Sequence, residues 1–256
     1  MIKVKFCGIR REEDVEAVNR LQPDFVGFVF ARSSRQVTAE RAAELKGRLH
    51  QEIKTVAVLV NHPVEQAAQL ANSGVADLLQ LHGDEDAAYI ARLKTLTDAK
   101  IIKAIRLQAQ QDASHSGNIN RNKQQKSAAT DGAERQGALW QRDASAGSAP
   151  ESAKRALREA EQADYYLFDA FVPGAYGGTG RRFDSSMLNG LPVGKPFFLA
   201  GGLDAENVSG IVKKVMADKS LAPFFYGVDI SGGIETDGYK DPVKMEAFME
   251  VLGSAF

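Results

Sequence analysis

Eight short apolar runs recur along this 256-residue chain, each followed by a polar loop and then by a longer stretch with helical spacing. They are Ile2–Cys7, Phe25–Phe30, Thr55–Val60, Leu78–Leu81, Ile101–Ile105, Tyr165–Asp169, Phe197–Ala200 and Gly227–Ile230. β-branched or aromatic runs alternating with helical periodicity are the signature of parallel βα units. Several runs are apolar almost throughout, as strands covered on both faces are. Length alone fits one barrel or two small domains. Eight strands in about 250 residues favour a closed barrel over an open doubly wound sheet, which generally uses fewer. The expected fold class is therefore α/β, a single (β/α)8 TIM barrel over residues 1–256.

Helix start signals support this rhythm. Thr38 precedes AERAAELKGRL, Asp84 precedes EDAAYIARLKTL, and Asp204 with Ala205 precedes ENVSGIVKKVM. Each offers a side-chain oxygen to an unpaired N–H of the first turn. One segment breaks the pattern. Residues 107–150, Leu107 to Pro150, are rich in Gln, Ala, Ser, Asn and Gly and poor in large apolar residues. Such a stretch buries too little surface to offset its ordering entropy. It is expected to be a low-complexity, disordered insertion after the fifth strand, tolerated because long surface loops add little closure cost. Trp140, the chain's only tryptophan, falls within it.

Charge and cysteine content narrow the partners. A formal net charge of −1 gives no general attraction to nucleic acid or to an anionic membrane, so a small-molecule partner is expected. A single cysteine cannot form an internal disulfide, which points to a reducing compartment. The opening MIKVKFCGIR is too charged for a signal-peptide apolar region, and no run approaches a membrane span. These features together point to the cytoplasm.

In a barrel of this kind, chemistry gathers at the C-terminal ends of the strands. Cys7 ends the first run, Arg35 follows the second, Asn61 the third, and Gln80 and His82 close the fourth. Arg106 follows the fifth, Asp169 ends the sixth, and Asp229 lies in the eighth. Cys7 stands beside Gly8, with Lys5 and Arg10 near in sequence, where positive charge would favour the thiolate. Alternation puts Lys5 and Cys7 on one side of the strand. The alternative is a buried small hydrophobe. Asp169 ends an apolar run, an environment that disfavours the charged carboxylate and suits a general acid. Its alternative is a helix cap or structural hydrogen bonder. His82, Gln80 and Asp229 are candidates for touching substrate. Phe28 and Phe30 share a face that fills the core or walls an aromatic pocket.

Glycine clusters mark three strand ends: Gly177–Gly180, which holds Gly178, Thr179 and Gly180; Gly201 with Gly202; and Ser231 with Gly232 and Gly233. Glycine lets backbone N–H groups approach an anion, and barrel phosphate sites commonly form after strands seven and eight. A phosphorylated substrate is expected.

Taken in order, KFCGIR at Lys5–Arg10, VGFVFARSSR at Val26–Arg35, LQLHGDE at Leu79–Glu85, KAIR at Lys103–Arg106, LFDA at Leu167–Ala170, GGTGRRFD at Gly177–Asp184, LAGGL at Leu199–Leu203 and GVDISGGIE at Gly227–Glu235 closely resemble the phosphoribosylanthranilate isomerase family. The match runs almost end to end and skips only the insertion. The resemblance implies an Amadori rearrangement of N-(5-phosphoribosyl)anthranilate in tryptophan biosynthesis, with no metal or organic cofactor. It places Cys7 where the family has its general base and Asp169 where it has its general acid. It also matches Arg35 to the arginine beside the anthranilate carboxylate, and the glycine loops to the phosphate grip. Monomer and homodimer remain open. A related histidine-pathway isomerase barrel would be expected to carry aspartate at the Cys7 position. A catalytically idle phosphosugar-binding protein is the rival from another class, and retention of both Cys7 and Asp169 argues against it.

Overall fold

A computed structural model describes residues 2–108, 151–171 and 185–255. The strands are β1 (Lys3–Cys7), β2 (Phe25–Val29), β3 (Lys54–Leu59), β4 (Leu78–Leu81), β5 (Lys100–Gln108), β6 (Tyr165–Phe171), β7 (Phe197–Ala200) and β8 (Phe225–Ile230). They pair in parallel in sequence order, and β8 closes on β1, giving the expected closed barrel. The helices are α1 (Glu12–Leu21), α2 (Ala39–Lys46), α3 (Val64–Asn72), α4 (Ala87–Lys94), α5 (Glu151–Glu159), α6 (Val208–Ala217) and α7 (Pro242–Ala255). After β8 the chain forms a two-stranded hairpin, β9 (Glu235–Thr236) and β10 (Tyr239–Lys240). Among the described residues no helix is long and apolar enough to cross a membrane.

Two apolar layers hold the barrel. Outside the wall, strand residues such as Phe6, Phe28, Leu79, Phe168 and Phe197 pack against helix residues such as Val18, Leu45, Ile90, Val212 and Phe248. Phe28 and Phe30 belong to this layer, so they fill core rather than wall a pocket. Inside, Phe25, Val56, Leu78, Ile102, Leu167 and Phe198 form a second cluster, with Tyr165 and Tyr226 packed on it. Phe25, Phe198 and Tyr226 meet at centroid distances of 5.2–6.4 Å, which floors the barrel with aromatic rings. The polar chemistry is thereby confined to the opposite, C-terminal end of the strands.

Three local expectations need adjustment. Thr38 caps α2 as expected, accepting from Arg41 N at 3.2 Å, but α4 is capped by Asp86, which accepts from Tyr89 N at 2.8 Å. Asp84 instead clasps Asn61, receiving Nδ2 at 3.3 Å and donating its N–H to Asn61 Oδ1 at 2.8 Å. Asp204 accepts from Asn207 N at 2.9 Å, one residue before α6 begins at Val208. The insertion does not begin at Leu107, because Leu107 is buried and registers with Ala170, while Gln108 registers with Phe171. The rest of that segment, 109–150, lies outside the described residues.

Candidate active site

Parallel register sets the geometry. Cys7 pairs with Gly27 on β2, Lys5 with Asp229 on β8, and Asp169 with Arg106 on β5 and Ala200 on β7. A cavity of about 200 Å³ opens at this end of the barrel, lined by Cys7, Gln80, His82, Asp169 and Asp229 and by the loops after β7 and β8. A larger cavity of about 640 Å³ lies between the loop before α4, strand β5 and helix α5. There Lys103 binds Glu85 at 2.8 Å and Arg155 binds Glu159 at 2.8 Å, so charged groups of its lining pair with one another. The smaller cavity brings thiol, carboxyl and imidazole together, and is the candidate site.

His82 Nε2 lies 3.1 Å from Asp169 Oδ2, and His82 Nδ1 lies 3.0 Å from Gln80 Nε2. With Gln80 buried and donating, Nδ1 is the acceptor and Nε2 carries the hydrogen toward Asp169. Asp169 and His82 side chains are each about a quarter exposed, so the carboxyl faces an imidazole and the opening rather than a purely apolar pocket. Arg106 Nη2 donates to the His82 carbonyl at 2.5 Å and fixes that loop.

Cys7 is buried, and burial pushes its thiol up. Lys5 opposes this with its charge and a direct contact, Asp229 adds to the push, and Lys240 pulls downward; the balance stays upward. Of the two basic residues near Cys7 in sequence, only Lys5 serves it. Arg10 turns away, donating to Ser34 O at 2.6 Å and Gly238 O at 2.9 Å, with its guanidinium over the Tyr239 ring.

Loops seven and eight are pressed together. A Cβ on Gly233 would sit 1.9 Å from the Leu203 carbonyl oxygen, so no larger residue fits without moving backbone. Asn207 Nδ2 donates to Gly202 O at 2.8 Å and buttresses the first loop. Ser231 Oγ donates to Cys7 O at 3.0 Å and ties the second to β1. Gly201, Gly202, Ser231, Gly232 and Gly233 all line the cavity. Gly178, Thr179 and Gly180 lie outside the described residues.

Arg35 is placed just behind this lining. Its Nε and Nη2 donate to Glu235 Oε1 and Oε2 at 2.7 and 2.6 Å, a bidentate clamp. Gly8, at φ 84°, leaves room for it, since a Cβ there would lie 2.7 Å from Arg35 Cδ. Lys240 Nζ also binds Glu235 Oε1, at 2.7 Å. Burial alone would push the Glu235 carboxyl up, but Arg35 and Lys240 overcome it and hold the group down at about 2. Sequence reasoning missed Glu235 and Lys240 as site residues. The signal was present: Asp237-Gly238, both at positive φ (53° and 77°), is the two-residue turn of a hairpin.

This clamp carries a prediction. A carboxyl depressed in the folded state contributes stability above its unfolded value and loses it as pH falls through the folded one. Glu235→Gln should therefore lower stability at pH 7 by up to about 3 kcal/mol. Less than half of that deficit, roughly, should remain at pH 3. Chemical denaturation of both proteins between pH 7 and pH 3 checks this, and a pH-independent deficit would contradict it.

A closed (β/α)8 barrel gathering a thiol and a carboxyl–imidazole pair in one cavity at the C-terminal strand ends has the architecture of a barrel enzyme. Residues 4–142 and 143–251 match the family model described as N-(5'phosphoribosyl)anthranilate (PRA) isomerase. The chain belongs to that family. Its N-(5'-phosphoribosyl)anthranilate isomerase relative in Thermoanaerobacter pseudethanolicus is 38% identical over 250 residues, covering 98% of this chain and 97% of the relative. The relative of the same name in Endomicrobium trichonymphae is 34% identical over 254 residues, covering 99% and 100%. Among solved structures, the phosphoribosyl anthranilate isomerase of Thermotoga maritima superposes with a TM-score of 0.71 at 26% identity, covering 99% and 100%.

Proposed function

We infer that this chain isomerises N-(5-phosphoribosyl)anthranilate to 1-(2-carboxyphenylamino)-1-deoxyribulose 5-phosphate, with Asp169 as general acid and Cys7 as general base. The observation that carries the reading is that Cys7 and Asp169, on β1 and β6, line one cavity whose rim is the glycine loops after β7 and β8. The reaction needs two groups with opposite protonation. Asp169 donates its proton to the ring oxygen as the C1–O bond breaks, which leaves an open-chain iminium. Cys7 as thiolate removes the C2 proton, whose bonding electrons neutralise the iminium and form an enolamine. Tautomerisation to the aminoketose completes the isomerisation with no atom gained or lost. His82 holds the Asp169 carboxyl toward the cavity.

In the same reading, Gly201, Gly202, Ser231, Gly232 and Gly233, together with Gly178, Thr179 and Gly180, take the phosphate, and His82 and Asp229 contact the substrate's polar groups. Arg35 meets the anthranilate carboxylate. The Glu235 clamp uses one edge of the guanidinium, so Nη1 and the second hydrogen of Nη2 point elsewhere and suit a planar carboxylate.

A coupled assay tests the reading: phosphoribosylanthranilate is generated in place and the loss of its fluorescence is followed. Turnover by the parent protein, abolished in Cys7→Ala, is the expected result. A folded parent protein that leaves the fluorescence unchanged would overturn it.

A further inference from the structure

Lys5 is the most unusual side chain in the barrel, a lysine with no exposed surface. Its Nζ lies 2.9 Å from Asp229 Oδ2. The other carboxylate oxygen, Asp229 Oδ1, is buried and has no hydrogen-bond partner in the structure. Removing two charges from water costs several kcal/mol per ion, and only full hydrogen bonding repays it. A pair with an orphaned oxygen is thus a poor stabiliser, and apolar packing of the kind found in the aromatic floor would serve better.

The pair does adjoin Cys7. Lys5 and Cys7 are two residues apart on β1 and face the barrel interior together. Gly27, the register partner of Cys7, makes the space for both. A Cβ at Gly27 would lie 2.8 Å from Cys7 Sγ and 3.1 Å from Lys5 Nζ, so any larger residue must displace the sulfur or the ammonium.

We propose that Lys5 is a positioning residue that sets the ionisation of Cys7. Its ammonium, oriented by Asp229 and admitted by the missing side chain at Gly27, is the counter-charge of the thiolate. The mechanistic value of this rests on Cys7 acting as base, but the device itself can be tested without any turnover. Other charged groups face the same region: Asp229 from β8, Lys240 from β10, Glu235 from β9, Arg35 from the segment after β2, and Asp169 with His82 across the cavity. Among the charged groups acting on the thiol, Lys5 acts most strongly, ahead of Asp229 and Lys240. Burial favours the neutral thiol, and Lys5 is the principal force against it.

Cys7 is the chain's only cysteine, so selective 13Cβ labelling of cysteine gives one NMR resonance that reports its ionisation directly. The parent protein is compared with Lys5→Met, Asp229→Asn and the double variant Lys5→Met/Asp229→Asn. Asp229→Asn should titrate below the parent, the double variant above it, and Lys5→Met highest, because it also leaves Asp229 unopposed. If Lys5→Met fails to fold around its unpaired carboxylate, the double variant, which has no buried charge to strand, decides the matter. It is expected to match or exceed the parent in Tm and to titrate higher. A double variant whose thiol titrates with or below the parent would overturn the proposal. If the thiol moves as expected but Cys7→Ala retains isomerase activity, the Lys5 device stands and the assignment of the base falls.

Discussion

Asp169→Asn should lower kcat by about two to four orders of magnitude, the range spanned by losing a general acid, while KM stays within a fewfold of the parent. Asparagine keeps the size and one acceptor oxygen of aspartate, so the contact with His82 Nε2, 3.1 Å in the parent, persists. What disappears is the transferable proton. Because the Asp169 side chain is about a quarter exposed and not locked in a buried ion pair, the substitution should leave the fold intact, with a stability change within about 1 kcal/mol. Steady-state kinetics by fluorescence loss, with circular dichroism to confirm folding, decides the matter. A variant within tenfold of the parent would remove Asp169 from its role.

Cys7→Ser should be equally damaging, for the complementary reason. A serine hydroxyl is a far weaker acid than a thiol, so the neighbouring ammonium of Lys5 cannot hold it ionised. Because burial pushes Cys7 up and Lys5 only partly pulls it back, thiolate is scarce at low pH, and kcat/KM of the parent should rise with pH along an acid limb. In the variant that acid limb should be lost, and the residual rate should sit about two to four orders of magnitude below the parent. Substrate affinity should change little, because the glycine loops and Arg35 are untouched. Turnover near the parent level would show that the proton at C2 is taken elsewhere.

The barrel was legible in the sequence because its outer wall follows a simple rule. Strands covered on both faces are apolar nearly throughout, and all eight runs became strands, with edges moved by three residues at most. The extension of β5 through Leu107 and Gln108 escaped because Leu107 sits beside the polar run, and only its burial against β6 reveals its place. At the site, position on a strand end identified Cys7, Gln80, His82, Asp169 and Asp229, all of which line one cavity. Arg10 was misjudged because nearness in sequence says nothing of direction, and its guanidinium runs to the hairpin instead. Asn61 joins the loop clasp with Asp84 rather than the cavity. The burial of Lys5 could not be read locally, since its partner is a carboxylate 224 positions away.

That separation has a consequence for how the molecule comes into being. β1 carries the thiol and Lys5, β8 carries the carboxylate paired with that lysine, and the two strands meet only when the barrel closes. Closure is a long-range event of the slow, non-local kind. On a ribosome, a chain with seven strands emerged would already hold Cys7, His82 and Asp169, yet Lys5 would lack the carboxylate that fixes it. Under the role proposed for Lys5, reactivity at the cysteine belongs to the finished ring and is acquired with its last strand.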